Sequence, residues 1–419
     1  MSRPSDYKKL VLVFVLLLAL VTLFGSEIAS TEPSVAPTGT PPDALPYGLP
    51  GPHPTGTQDL MIEGKLPLAA TIWYPALPQD IPAEETAYPY EIKLGAPLGM
   101  VTIASSAGHA TSGAPFDFGQ GPYPLVILSP GFAIGAASYG WLAEHLASYG
   151  FVVMAPDHRE RLDPENELWR SAITRPQDVL TLFAYVDSAV GSGGSLAGLI
   201  DPETVAVIGH SYGGYTALAA AGAQIDTSGL KSHCENAVQA EDPAVWLCDM
   251  LLPHLVEMAA LADLDAVPEG LWPDWSDSRV DAVVPMAGDA FFFGRNGLAE
   301  IDVPVLAIGG SLDNDTPLSW GTYPTYKHVA SPTKAQLILN DAEHMIFTNV
   351  CEAVRWYAKW VAGEFCADSF WDRHQAHDLI NHVITAFLLA ELKQDAHAAA
   401  ALAPSAVEFP AVSYEAQGY

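Results

Sequence analysis

The sequence predicts an α/β fold: a mostly parallel, doubly wound sheet with an inserted helical cap. Three observations predict it. Short apolar, β-branched runs recur along the chain, stretches of helical period separate them, and one segment, 223–278, breaks that rhythm. The length of 419 residues with 49% apolar residues is ample for one large core with insertions. The net charge of −31, from 18 Lys+Arg against 49 Asp+Glu, argues against nucleic acid as a partner and against docking on anionic lipid.

The elements follow in order. Arg3, Lys8 and Lys9 precede fifteen uncharged residues, 10–24, so 1–30 reads as a secretory signal or N-terminal anchor. Either places the body outside the cytoplasm, and an uncleaved segment would tether it to the membrane. Residues 31–58, rich in Pro, Thr and Gly, read as a lead-in. The main α/β domain spans 59–222 and 279–395. Its strands are expected at 68–75, 124–129, 150–156, 204–208, 280–286, 303–309 and 335–340, the last in the chain. Between 76 and 121 the composition promises loops. Helices are expected at 138–149, at 175–190 with Pro176 in its first turn, at 347–362 and at 372–393. The insertion 223–278, with a helical stretch at 246–264, reads as a cap or lid, and 396–419 as a tail. Four cysteines fit an oxidising compartment. Cys234–Cys248 and Cys351–Cys366 are the favoured pairs because they close the shortest loops.

The most informative residues are Gly209-His210-Ser211-Tyr212-Gly213-Gly214, between an apolar run and Tyr215-Thr-Ala-Leu-Ala-Ala-Ala-Gly222. A strand, a G-x-S-x-G turn and a helix together form the nucleophile elbow of an α/β-hydrolase. Serine is a poor nucleophile at neutral pH and needs a base, which in turn needs an orienting carboxylate. In this fold the chain order is Ser, acid, His. His344, directly after the strand expected at 335–340, occupies the base's place. Asp313, after the strand expected at 303–309, occupies the acid's. Asp289 and Asp315 stand as alternatives. The oxyanion hole needs two backbone N–H donors. Tyr212 supplies one, and Phe132 in Ser129-Pro-Gly-Phe-Ala133 the other. This chemistry requires no cofactor.

Ser129-Pro-Gly-Phe, then Leu146-Ala-Ser-Tyr-Gly-Phe-Val-Val-Met-Ala-Pro-Asp-His-Arg159, then the elbow resemble bacterial platelet-activating-factor acetylhydrolase-like proteins and the predicted dienelactone hydrolase family. Pro-Gly-Phe and Leu-Asp-x-x-x-Pro around Asp313 also look like bacterial cutinases and polyester hydrolases. The resemblance covers roughly 60–365. It implies the acid at Asp313 in the bacterial group, and at Asp289 in the animal acetylhydrolases. Dienelactone hydrolases proper use Cys where this chain has Ser211, so their chemistry does not carry over. His158-Arg159 matches the acetylhydrolase pattern and reads as a structural pair.

Two further constellations carry less. Asp313-Asn-Asp315 departs from a calcium loop. His374, His377 and His382 share a predicted helix but read as a polar face rather than a metal site. The aromatic run Phe291-Phe-Phe293 reads as core or lid packing; if it lined the pocket it would favour an apolar acyl group. The expected function is an exported serine carboxylic-ester hydrolase working through an acyl-enzyme on short-chain, lipid-like or polyester substrates. The alternatives are a catalytically silent binding module and a peptidase or amidase. Oligomeric state is not legible.

Overall fold

A computed structural model describes residues 45–79, 86–95, 99–353 and 370–419. The segment read as signal or anchor, the first half of the lead-in, Cys366 and much of the helix expected at 347–362 lie outside these residues.

Twelve strands are described: β1 (Thr55–Ile62), β2 (Leu68–Pro75), β3 (Thr86–Gly95), β4 (Gly99–Gly108), β5 (Thr111–Ser112), β6 (Tyr123–Ser129), β7 (Val152–Pro156), β8 (Ile200–His210), β9 (Val280–Met286), β10 (Val305–Gly310), β11 (Lys334–Leu339) and β12 (Val412–Gln417). Ten form one sheet in the order β12-β11-β10-β9-β8-β6-β7-β2-β1-β5, and β3 and β4 form a separate antiparallel hairpin. The centre, from β7 through β6, β8, β9 and β10 to β11, is parallel, whereas β2 and β12 run antiparallel to their neighbours. Strands β6, β7 and β10 are buried along nearly their whole length, as continuous apolar runs covered on both faces must be. This is the expected architecture: a mostly parallel sheet with one core on each face.

Several boundaries differ from expectation. The lead-in ends earlier than residue 58, because β1 begins at Thr55 and pairs with β2. The loop-rich stretch after β2 contains the β3–β4 hairpin. The tail 396–419 holds a helix, Ala396–Ala401, and β12, so β11 is not the last strand. Strand β12 is an edge strand with alternating exposure, which gives a weaker signal than a buried run. The stretch 246–264 divides into helices Trp246–Leu251 and Leu255–Leu261, broken at Leu252–His254, which contains Pro253.

The helix expected from 175 starts instead at Pro164 and runs to Val190, with Pro176 inside it. Pro176 cannot donate to the carbonyl of Ala172. The Tyr215 hydroxyl donates to that oxygen at 2.6 Å instead, so the interior proline costs less than it would in isolation. The insertion packs its buried side chains, Leu230, Cys234, Leu247 and Cys248 among them, into the same core as the long helix. Cys234 and Cys248 form a disulfide, as expected, and Cys351 is also disulfide-bonded.

Candidate active site

Strand β8 ends at His210, and the helix Tyr212–Ala220 begins one residue after Ser211. Ser211 therefore takes the whole turn. Its φ of 57° and ψ of −125° lie where a side-chain-bearing residue is strained, and its N–H is held by the Met286 carbonyl at 2.9 Å. The flanking glycines are obligatory. A Cβ on Gly209 would stand 1.9 Å from the Gly213 carbonyl oxygen, and one on Gly213 would stand 2.0 Å from that of Ser129. Tyr212 is the first residue of the elbow helix, so its N–H belongs to the donors that have no partner within a helix.

His344 and Asp313 come together: Nδ1 of the imidazole lies 2.7 Å from Oδ2 of the carboxylate. The other carboxylate oxygen accepts the N–H groups of Asp315 at 2.9 Å and Thr316 at 2.7 Å, so the turn after β10 fixes the acid. Asp289 stays apart from the imidazole hydrogen bond. It accepts instead from the Thr316 hydroxyl at 3.3 Å, which makes Thr316 a bridge between the two carboxyl groups. Asp315 lies close by, with Asp313, Asp315 and His344 each offering an atom within 4.8 Å of the others.

The electrostatics follow from that crowding. Burial alone would disfavour imidazolium at His344. The Asp313 carboxylate, with Asp315 and Asp289 behind it, outweighs burial and raises the pKa to about 9. Asp289 moves the other way from an ordinary carboxyl, raised to about 7, chiefly by burial, against the pull of the His344 charge.

Sequence reasoning missed the residues that hold these pieces in register. The Tyr139 hydroxyl accepts the Gly131 N–H at 3.0 Å and meets His210 Nδ1 at 2.8 Å, while His210 Nε2 lies 3.1 Å from the His344 carbonyl. Burial, aided by the nearby His344, holds the His210 pKa well below its usual range. A neutral His210 carrying its proton on Nε2 satisfies both contacts. Tyr139 and His210 thus tie the loop after β6 to the backbone of His344.

Arg175, fully buried, is the second missed residue. It donates to the Pro130 carbonyl at 2.6 Å and the Gly131 carbonyl at 2.9 Å, and pairs with buried Glu160, which accepts the Ala133 N–H at 3.1 Å. The amides on both sides of Phe132 are therefore committed, to Tyr139 and Glu160, and the Phe132 amide sits on a clamped loop. The signal was available: Arg175 falls on the inward face of an amphipathic helix, where an arginine needs a buried partner.

The other candidates resolve simply. His158 bridges Ser129 Oγ at 2.9 Å and Asp178 at 3.0 Å, and Arg159 also binds Asp178, which is the structural role expected for the pair. Phe291, Phe292 and Phe293 are core residues packed on Tyr215 and Trp320. His377 stacks on Trp141 and meets the Ile346 carbonyl, whereas His382 accepts from the Tyr47 N–H, so the two do not converge.

Comparison with known proteins bears on the fold and the class of reaction. Residues 89–238 match the family described as PETase, PET hydrolase-like. The chain is 27% identical over 271 residues to cutinase est1 of Thermobifida alba, covering 63% of this chain and 70% of that protein. It is 26% identical over 275 residues to the bis(hydroxyethyl) terephthalate hydrolase of Streptomyces coelicolor, covering 63% and 67%. A ferulic acid esterase from Streptomyces cinnamoneus superposes with a TM-score of 0.55 over 88% of this chain and 98% of that one, at 21% identity, and shares the fold.

Proposed function

For this carboxylic ester hydrolase of the α/β-hydrolase fold, similar to cutinases and polyester hydrolases, we propose a Ser211–His344–Asp313 triad that cleaves esters through an acyl-enzyme. The observation that carries the reading is the 2.7 Å His344–Asp313 contact beside a serine held at a strained strand-to-helix turn.

Ser211 Oγ attacks the ester carbonyl, and His344 Nε2 takes its proton. Asp313, hydrogen-bonded to Nδ1, fixes the ring's tautomer and stabilises the imidazolium. The amides of Tyr212 and Phe132 hold the oxyanion. Collapse expels the alcohol, which receives the proton from His344. Water, activated by the same imidazole, then attacks the acyl-enzyme, and Ser211 is regenerated. Asp289 is not the orienting acid in this scheme, since its hydrogen bond goes to Thr316.

Short-chain, lipid-like or polyester substrates fit this site. The insertion 223–278 is joined to the segments that follow β9 and β10: His233 packs on Phe291 and Trp320, and Asp242 accepts the Trp320 indole N–H at 2.9 Å. A disulfide and the apolar stretch 10–24 support an extracytoplasmic protein.

The test is hydrolysis of p-nitrophenyl acetate, butyrate and octanoate by wild type and Ser211→Ala, with labelling by a fluorophosphonate read by mass spectrometry. Turnover and labelling should both vanish with Ser211. Turnover that survives in Ser211→Ala, or a folded wild type that turns over none of the three, overturns the proposal. Matching p-nitroanilides separate an esterase from an amidase.

A further inference from the structure

His344 opens a single turn, His344–Phe347, that lies between β11 and the short helix Val350–Ala353. One 3₁₀ turn has poor hydrogen-bond geometry and cannot by itself hold a base to a fraction of an ångström. The backbone bonds around this one are long. The Ile346 N–H reaches the Glu343 carbonyl at 3.3 Å, and the Thr348 N–H reaches that of Met345 at 3.2 Å.

Side chains from elsewhere supply the support. The His344 carbonyl goes to His210, and the carbonyls that follow go to one helix, Arg373–Lys393. Arg373 Nη1 donates to the Met345 carbonyl and, at 2.9 Å, to that of Thr348. His377 Nε2 donates to the Ile346 carbonyl at 2.9 Å. Arg373 and His377 are four residues apart and so share a helix face. Just ahead of them, the Trp371 indole N–H donates to the Asn340 carbonyl at 2.7 Å, where the chain leaves β11. The Asp372 carboxylate caps the helix by accepting the Gln375 N–H at 3.1 Å, which fixes where its first turn begins. Both ends of the segment 340–348 are thereby tied to the stretch 371–377.

His377 has a second attachment. Its ring lies flat on the Trp141 indole, with centroids 3.8 Å apart and planes 4° from parallel. Trp141 belongs to the helix Gly140–Ser148, which follows the loop carrying Phe132. His377 is buried, and burial, then the Arg373 charge, lower its pKa to about 3. It is a neutral ring whose one hydrogen, on Nε2, goes to the turn of the base.

We propose that Arg373 and His377 are positioning residues for the reaction: through the Met345, Ile346 and Thr348 carbonyls they set the place from which the His344 ring reaches both Asp313 and Ser211. The proposal rests on the triad reading above, in which His344 is the base. The work is divided between two sets of groups. Asp313 fixes the rotation of the ring, and the helix fixes the backbone from which the ring hangs.

The test compares His377→Leu, which keeps apolar bulk and loses the donor, with His377→Gln, whose amide nitrogen restores one. Both are assayed on p-nitrophenyl butyrate, with rates expressed per Ser211 titrated by a fluorophosphonate, so that unfolded enzyme does not count. His377→Leu should lower kcat by about ten- to a hundredfold with KM within about twofold, and His377→Gln should recover most of the loss. Neither replacement changes a charge, so the plateau of the pH profile should fall while its acid limb stays in place. The far-downfield proton resonance of the Asp313–His344 hydrogen bond should weaken in His377→Leu and return in His377→Gln. Arg373→Met against Arg373→Lys gives the same comparison of kcat at a half-buried position, should His377→Leu fail to fold. A per-site kcat within about twofold of wild type in the folded donor-less variants overturns the positioning role, as does a loss that the donor-bearing replacements leave unrecovered. Failure of the triad reading looks different: Ser211→Ala then still hydrolyses the ester, or Asp313→Asn leaves turnover unchanged.

Discussion

Replacing Asp315 by Asn tests the electrostatics of the base without touching its hydrogen bond. The N–H of Asp315 still donates to Asp313 in the variant, because that contact is backbone. What is lost is one negative charge whose oxygen lies within 4.8 Å of the His344–Asp313 pair. At that separation, a unit charge contributes about 1 kcal/mol in a water-like medium and about 3 kcal/mol at an effective dielectric of about 20. The pKa of His344 should therefore fall by about 0.6 to 2.5 units. Its starting value of about 9 leaves roughly one base in a hundred neutral at pH 7 in the free enzyme. The assay is the pH dependence of kcat/KM for p-nitrophenyl butyrate. Wild type should show an acid limb centred near pH 9, and Asp315→Asn a limb displaced downward, with a gain of several-fold at pH 7 and little change on the plateau. The displacement should shrink in high salt, because Asp315 is partly exposed. A folded variant whose limb coincides with that of wild type would refute the reasoning. Stability runs opposite to activity. A raised imidazole contributes its stabilisation fully below about pH 6.5 and loses it as pH rises through about 9, so the triad becomes active as it surrenders about 3 kcal/mol.

Other outcomes follow from the same geometry. Asp313→Asn should cost about three or more orders of magnitude in kcat, whereas Asp289→Asn should cost less than about tenfold and move the acid limb downward; equal losses would make Asp289 the orienting acid. Arg175→Met leaves Glu160 buried without its partner and should lower unfolding stability by about 3 to 5 kcal/mol, measured in denaturant. At temperatures where that variant stays folded, kcat should drop with KM nearly unchanged, and an unchanged kcat would remove the oxyanion loop from Arg175's duties. Reducing the Cys234–Cys248 bridge opens a loop with a sequence separation of 14. It should lower stability by about 3 kcal/mol on the chain-entropy account, visible as a drop in Tm.

What was legible in the sequence was whatever a local pattern carries. The strands β6 to β11 are continuous apolar runs, and the elbow is set by two glycines whose absent side chains leave room for neighbouring carbonyls. The meeting of Asp313 and His344 was legible because both stand directly after strands that end at the same sheet edge. Strands β1 and β12 were not, since half-exposed strands lack that apolar continuity. The start of the long helix was misplaced because Pro176 reads locally as a first-turn residue, and the donor that rescues its position, Tyr215, lies 43 residues away from Ala172. Tyr139, His210, Arg175 and Glu160 escaped notice because their roles exist only between loops distant in sequence.

The long helix Pro164–Val190 touches the elbow helix and the loop after β6 at three successive turns. Tyr212 bonds the Leu168 carbonyl at 2.7 Å, Tyr215 bonds that of Ala172, and Arg175 grips the loop carrying Phe132. One face of one helix thus sets the spacing between the two amides expected to receive the oxyanion. That spacing is fixed when the protein folds, not when substrate arrives. The hole should look the same in free and acylated enzyme.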